Sequence, residues 1–198
     1  MDKQEILSIV KKFAVDKTAK DDIHGFSHVI RVLNLSLEIG KKLGANLYVL
    51  EIAVLLHDVG RENEEQDIYN RNHAELSAEM SLDFIKSQGF QISHDDLDNI
   101  IHCIRAHSFS NKITPKTLEA KILSDVDKLD VLGAIGLYRT IGVTIKKQGG
   151  IKQVIEHLEN KILKLRDQLY LEESRKIADE RKKIIVNFYN KIKQESNI

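Results

Sequence analysis

Cysteine occurs once in the 198 residues, at Cys103, proline once, at Pro115, and tryptophan not at all. A single cysteine excludes an intramolecular disulfide and any Cys-rich zinc ribbon, and Cys103 is expected to be a buried, inert thiol. Apolar runs are short: none approaches the roughly 20 residues of a membrane span, so no membrane partner is expected. The opening Met1-Asp2-Lys3-Gln4-Glu5 carries acids where a secretory leader needs a basic region, which predicts a cytoplasmic protein. Charge of one sign is lacking too. The 30 Lys and Arg offset 30 Asp and Glu, leaving no general field to gather polyanions, so bulk nucleic-acid binding is not expected. Phosphate loops of the GxxxxGK and GxGxxG types, the GxSxG elbow and CxxC are all missing from the sequence.

What is present is 42% apolar and 30% charged residues, a globular balance. A chain of this size buries roughly 70% of its unfolded surface without needing staples, so any metal would serve a purpose other than stability. Leu, Ile, Lys and Glu recur with apolar spacings of three to four, which predicts an all-α fold. Helices are expected over Lys3 to Lys17, from near His28 to Leu43, and from Leu47 to Val59 behind an Asn46 cap. Further helices are expected from Asn72 to Gly89, from Ser93 to about His107, and from Thr117 through Leu129 and Leu137 towards Gly149-Gly150. Two long amphipathic helices, Ile151 to Tyr170 and Ser174 to Lys193, complete the chain as a hairpin without a core of its own. No repeat or linker divides the sequence, so residues 1–198 are expected to form a single domain. Its core would lie over about 20–135 and the helical appendage over about 150–195.

Seven of the eight histidines lie between positions 24 and 107. His57-Asp58 directly follows the apolar run Ile52-Ala53-Val54-Leu55-Leu56 and precedes Val59-Gly60-Arg61. An imidazole and a carboxylate at the end of the most apolar helix need a partner if buried. A divalent cation is one solution; a capping Asp beside a hydrogen-bonded core His is the other. His28 opens the preceding helix, and Asp125 and Asp127 interrupt a helix otherwise lined by Ile122, Leu123, Val126 and Leu129. His28, His57, Asp58 and Asp127 come from three helices and would suffice for a His-His-Asp-Asp pocket.

The order His28, then His57-Asp58, then Asp127 resembles the H…HD…D signature of the HD-domain metal-dependent phosphohydrolase superfamily. Its surroundings are similar as well: His24-Gly25-Phe26-Ser27-His28, Leu55-Leu56-His57-Asp58-Val59-Gly60-Arg61 and Asp125-Val126-Asp127-Lys128-Leu129-Asp130. The resemblance is to the small single-domain bacterial and archaeal branch and spans most of the chain. It implies an HD-domain helical bundle with a C-terminal helical hairpin, holding a divalent metal (Mn, Mg, Ni, Co, Fe or Zn) through His28, His57, Asp58 and Asp127. It also implies hydrolysis of a phosphoester or phosphoanhydride bond of a small phosphorylated metabolite, a nucleotide above all, by metal-activated water. Asp127 is preferred to Asp125 because it stands before Lys128-Leu129, where the family's last Asp stands. His73 and His107 lie where family members with a second metal have extra histidines. They serve there as ligands or as phosphate-contacting groups.

Other residues carry two readings each. His24, four positions before His28, faces phosphate or belongs to a loop. Arg61 clamps a phosphate with two hydrogen bonds or pairs with Glu62 or Glu65. Lys128 acts at the pocket or pairs with Asp125. His94, His102 and His157 are assigned no role. Arg61 departs from the deoxynucleoside monophosphatase branch, which carries a glutamate there, and this weakens any transfer of that branch's substrate. The competing functional classes are an HD-type di-iron oxygenase, using His28, His57, Asp58, His73, His107 and Asp127, and a non-catalytic nucleotide-binding sensor. Both a monomer and a homodimer are compatible with the sequence.

Overall fold

Helix formation concentrates apolar side chains in one short segment. The computed structural model describes residues 1–196, apart from the Glu65 side chain. It is helical, with no strand among the described residues. Helices α1 (Lys3–Lys17), α2 (Phe26–Leu43), α3 (Leu47–Leu56), α4 (His73–Gln88) and α5 (His94–His107) belong to a first compact unit, Met1–Ser124. In α3, Val49, Leu50, Ile52, Ala53, Val54, Leu55 and Leu56 are all buried. Burial on every side marks α3 as the central helix rather than a surface one. It packs against α1, α2, α4 and α5. At about 1.5–3 kcal/mol per large side chain, this cluster is the main apolar support of the unit. Phe13 of α1 stacks on Phe84 of α4 with ring centroids 3.9 Å apart.

The caps follow from local chemistry. Asp2 and Glu5 form a capping box at α1. Asn46, Asn72 and Ser93 cap α3, α4 and α5 through side-chain oxygens that accept from free backbone N–H groups of the first turn. Gly44 and Gly89 end α2 and α4 in the left-handed conformation. The expected helix from Leu47 to Val59 ends at Leu56. A turn over 57–60 then leads into a 3-10 helix, Arg61–Gln66. Gly60 is required there by close approach. A Cβ at that position would lie 2.5 Å from Ser77 N of α4, and the Gly60 N–H donates to Ser77 Oγ at 2.9 Å.

The second unit begins at Asp125, inside α6 (Leu118–Leu129), and contains α7 (Gly133–Lys146), α8 (Ile151–Asn160) and α9 (Glu172–Ser196). Two of its features differ from the sequence expectation. The helix expected to continue from Thr117 towards Gly149 breaks at Gly133, whose φ of 78° only glycine adopts readily. The first arm of the hairpin stops at Asn160 and continues as a 3-10 helix, Ile162–Gln168. Ile162 and Leu165 are buried there three residues apart, the period at which 3-10 side chains align. α7, α8 and α9 pack on one another, and a buried ion pair joins Arg139 to Asp130 at 2.6 Å. Among the described residues no helix is long and apolar enough to cross a membrane.

Replacing Gly60 by Ala forces the 57–60 turn away from α4. Urea denaturation should register a loss of about 1–3 kcal/mol, the usual cost of overpacking a close contact. An unchanged midpoint would mean that the turn is not held against α4.

Candidate metal centre

The centre forms where two helices of the first unit end and two begin. The last α-helical carbonyls of a helix have no intrahelical partner. His57, directly after α3, donates its Nδ1–H to Val54 O at 2.7 Å. His107, the last residue of α5, donates its Nδ1–H to Ile104 O at 2.6 Å. Each ring is thereby fixed as the Nδ1–H tautomer, with the Nε2 lone pair turned to the opposite side. His73, the first residue of α4, is held by Glu64 of the 3-10 helix. The Glu64 Oε1 accepts from the His73 backbone N–H at 3.0 Å and from its ring Nδ1 at 3.3 Å. His28 is on the first turn of α2, and its Nε2 lies 3.3 Å from His57 Nε2.

These Nε2 atoms surround one carboxylate. Asp58 Oδ2 lies 3.7 Å from His57 Nε2 and 3.8 Å from His28 Nε2. Its Oδ1 lies 3.6 Å from His107 Nε2 and 3.8 Å from His73 Nε2. Asp58, His28, His57, His73 and His107 are all buried. Two sets of candidate ligands share Asp58: His28, His57 and Asp58, and Asp58, His73 and His107, the ligand atoms of each lying within 4.8 Å of one another. Lone pairs facing each other across such gaps repel unless a cation lies between them. The His107 Nε2 has no hydrogen-bond partner among the described residues although it is buried. The donor set, imidazoles with one carboxylate, suits a divalent transition ion.

Arg61 lies over the same carboxylate. Its Nε donates to Asp58 Oδ2 at 2.7 Å and its Nη2 to Oδ1 at 2.9 Å, a bidentate charge-assisted pair. The same Nη2 reaches His73 Nε2 at 2.9 Å. Burial alone would raise the Asp58 carboxyl, but the Arg61 guanidinium, with its charge and two hydrogen bonds, holds it well below the usual range. Burial and the Arg61 charge push His73 down to about 4, so it is neutral near pH 7. Neutral His73, and the His107 ring whose Nδ1–H is given to Ile104 O, turn an Nε2 acceptor to the carboxylate. That is the chemistry of a metal ligand or proton acceptor rather than of a donor to phosphate.

The remaining predicted residues lie elsewhere in the chain. His24 is in the turn before α2, half-buried, with its backbone N–H on Asp21 Oδ1 at 2.7 Å. Asp127 and Lys128 are on α6 in the second unit. Lys128 is buried, with its ammonium 5.8 Å from the Tyr170 ring centre. Asp125 accepts from the backbone N–H groups of Tyr170 and Leu171 at 2.9 and 2.8 Å, just ahead of α9. Its oxygens are thus engaged at a helix start. Cys103 is buried, and burial pushes its thiol well above the usual range. Sequence reasoning did not single out Glu64. It lies nine positions from His73 on a different element, inside the charged run Glu62-Asn63-Glu64-Glu65, and no local spacing marks it.

The family model for the HD domain matches residues 25–132, which contain His28, His57-Asp58, His73, His107 and Asp127. Over 200 aligned residues the chain is 27% identical to the uncharacterized protein YpgQ of Bacillus subtilis, covering 97% of this chain and 92% of that one. The crystal structure of YpgQ in complex with ADP superposes with a TM-score of 0.75 at 23% identity, covering 98% of this chain and 97% of that one. A predicted HD-superfamily hydrolase from an uncultured Thermotogales bacterium is 29% identical with a TM-score of 0.66, covering 97% of this chain and 91% of that one. Helical fold, clustered residues and a family match over more than half of its length together establish that this chain belongs to the HD-domain family.

Proposed function

We propose that this protein is a divalent-metal-dependent phosphohydrolase that cleaves a phosphoester or phosphoanhydride bond of a small phosphorylated metabolite, a nucleotide. The observation that carries the reading is the buried Asp58 carboxylate ringed by four imidazole Nε2 atoms. The YpgQ crystal structure in complex with ADP supports a nucleotide as the ligand class.

In this reading His28, His57 and Asp58 hold the metal, joined by Asp127, which enters from the sequence pattern. The metal, when bound, acidifies water and neutralises phosphoryl charge. The chain itself supplies orientation. Because Val54 O and Ile104 O fix the His57 and His107 rings, no ring rotation has to be arrested on binding. The Arg61 guanidinium, a quarter exposed, faces developing negative charge on the phosphoryl oxygens with N–H donors fixed in a plane. The His107 Nε2, an acceptor with no hydrogen-bond partner among the described residues, takes a proton or a hydrogen bond from the attacking water. His24 and Lys128 contribute positive or donor groups to phosphate.

Two outcomes follow. With Mn²⁺ and a panel of nucleoside mono-, di- and triphosphates, the wild type releases phosphate or pyrophosphate. Asp58→Asn should lose more than about 100-fold in turnover, together with its bound metal, since ligand-shell changes alone cost 10–100-fold. An unchanged rate would overturn the assignment. The two neighbouring acids should separate cleanly. Asp125→Ala lowers stability by about 1–3 kcal/mol through its unsatisfied amides but keeps metal affinity. Asp127→Ala weakens metal binding in isothermal titration.

A further inference from the structure

Access to the buried centre is one-sided. The side chains of His28, His57, Asp58 and His107 are fully buried, whereas those of His73, Arg61 and Glu64 are 9%, 25% and 38% exposed. A ligand from solvent therefore arrives over the 3-10 helix 61–66 and the start of α4. Two short segments border that opening. Residues 67–72 join the 3-10 helix to His73, and residues 108–112 directly follow His107. The Asn72 Nδ2 ties them together by donating to Asn111 Oδ1 at 2.8 Å.

Both segments are braced. Asp67 accepts from the backbone N–H groups of Tyr69 and Arg71 at 3.2 and 2.8 Å and from the Arg71 guanidinium at 2.6 Å, and Arg71 also donates to Glu79 of α4. Asn111 Nδ2 donates to Arg105 O at 2.9 Å, and the Lys112 N–H to Phe109 O at 3.2 Å. Yet each segment holds a ring out in water, Tyr69 at 73% exposure and Phe109 at 74%. Single exposed apolar residues are ordinary on protein surfaces; two rings on braced segments at the mouth of one polar site are the apolar wall of a ligand pocket. Arg71 backs the Tyr69 ring, with its guanidinium carbon 5.4 Å from the ring centre, and among the described residues neither ring stacks on another aromatic side chain. The Phe109 Cα lies within about 7 Å of the His107 Cα, and the Tyr69 Cα within about 14 Å of the His73 Cα, the extended lengths of two and four residues. A nucleotide with its phosphates at the centre reaches both segments with its base.

We propose that Tyr69 and Phe109 form a base-binding rim, stacking on the base of a nucleotide whose phosphates occupy the metal centre. Resting on the nucleotide reading above, this rim is the part of the site that tells a nucleotide from a bare phosphate chain. Stacking tolerates any base, since each has a π-face, so the rim selects nucleotides as a class.

The test compares two ligands that differ by the nucleoside alone, α,β-methylene-ADP and methylenediphosphonate, both resistant to cleavage between their phosphorus atoms. Each is titrated calorimetrically into the full-length protein with Mn²⁺. The wild type should bind the nucleotide more tightly. Tyr69→Ala and Phe109→Ala should each lower nucleotide affinity roughly 5- to 150-fold, the usual worth of a stacked ring, and leave affinity for the diphosphonate unchanged. Tyr69→Phe and Phe109→Tyr, which keep a ring, should bind the nucleotide as the wild type does. Both side chains are exposed, so the alanine variants should fold with an unchanged melting temperature. Unchanged nucleotide affinity in either alanine variant, an equal loss for both ligands, or a wild type that binds the two ligands alike would overturn the rim while the phosphohydrolase reading stands. A wild type that binds neither ligand would overturn both.

Discussion

Everything in the first unit is organised around one costly choice, an ionised carboxylate at the end of its most apolar helix. Asp58 is only 1% exposed. Stripping water from such a group costs several kcal/mol unless opposite charge and hydrogen bonds replace it. Arg61 does so in the protein as described, from three residues away and with two parallel hydrogen bonds. The turn that brings Arg61 round onto Asp58 requires Gly60, because no side chain fits between that turn and α4.

Orientation of the imidazoles follows from helix ends rather than from dedicated partners. His57 and His107 each satisfy a carbonyl three residues back, in the last turn of α3 and of α5. The hydrogen bond that finishes the helix therefore also selects the tautomer and aims Nε2 at Asp58. His73 begins a helix instead and has no such carbonyl, so an acid from outside, Glu64, performs the same task. This is the carboxylate–histidine arrangement by which histidine ligands are generally oriented.

In the second unit, buried polar groups serve the fold. Asp125 anchors the start of α9 through two backbone amides, Asp130 pairs with Arg139, and Arg181 donates to Leu129 O at 2.7 Å. In the sequence Ser124-Asp125-Val126-Asp127 it is Asp125 whose oxygens meet the two backbone amides. Helical position separates Asp127 from it, since two residues along an α-helix turn a side chain by about 200°.

Much of the architecture was legible in the sequence because it depends on local rules. The limits of α1, the caps at Asn46, Asn72 and Ser93, and the stops at Gly44 and Gly89 all follow from side chains acting within one turn. The H…HD…D order likewise pointed to His28, His57 and Asp58, since their residue types and helix positions carry the chemistry. The end of α3 at Leu56, the break at Gly133 and the 3-10 segment after Asn160 were not legible, because apolar spacing continues across all three. Nor were the partners of the site. That Glu64 holds His73, and that Arg61 lies on Asp58 and His73 at once, depends on where a 3-10 turn sets its side chains against a helix begun at Asn72. The sequence by itself determined the helical class, most helix starts and stops, and which residue types could bind a cation. Only the tertiary structure decided which lone pairs face one another and which cation already stands between them, because those distances are set by packing between segments far apart in the chain.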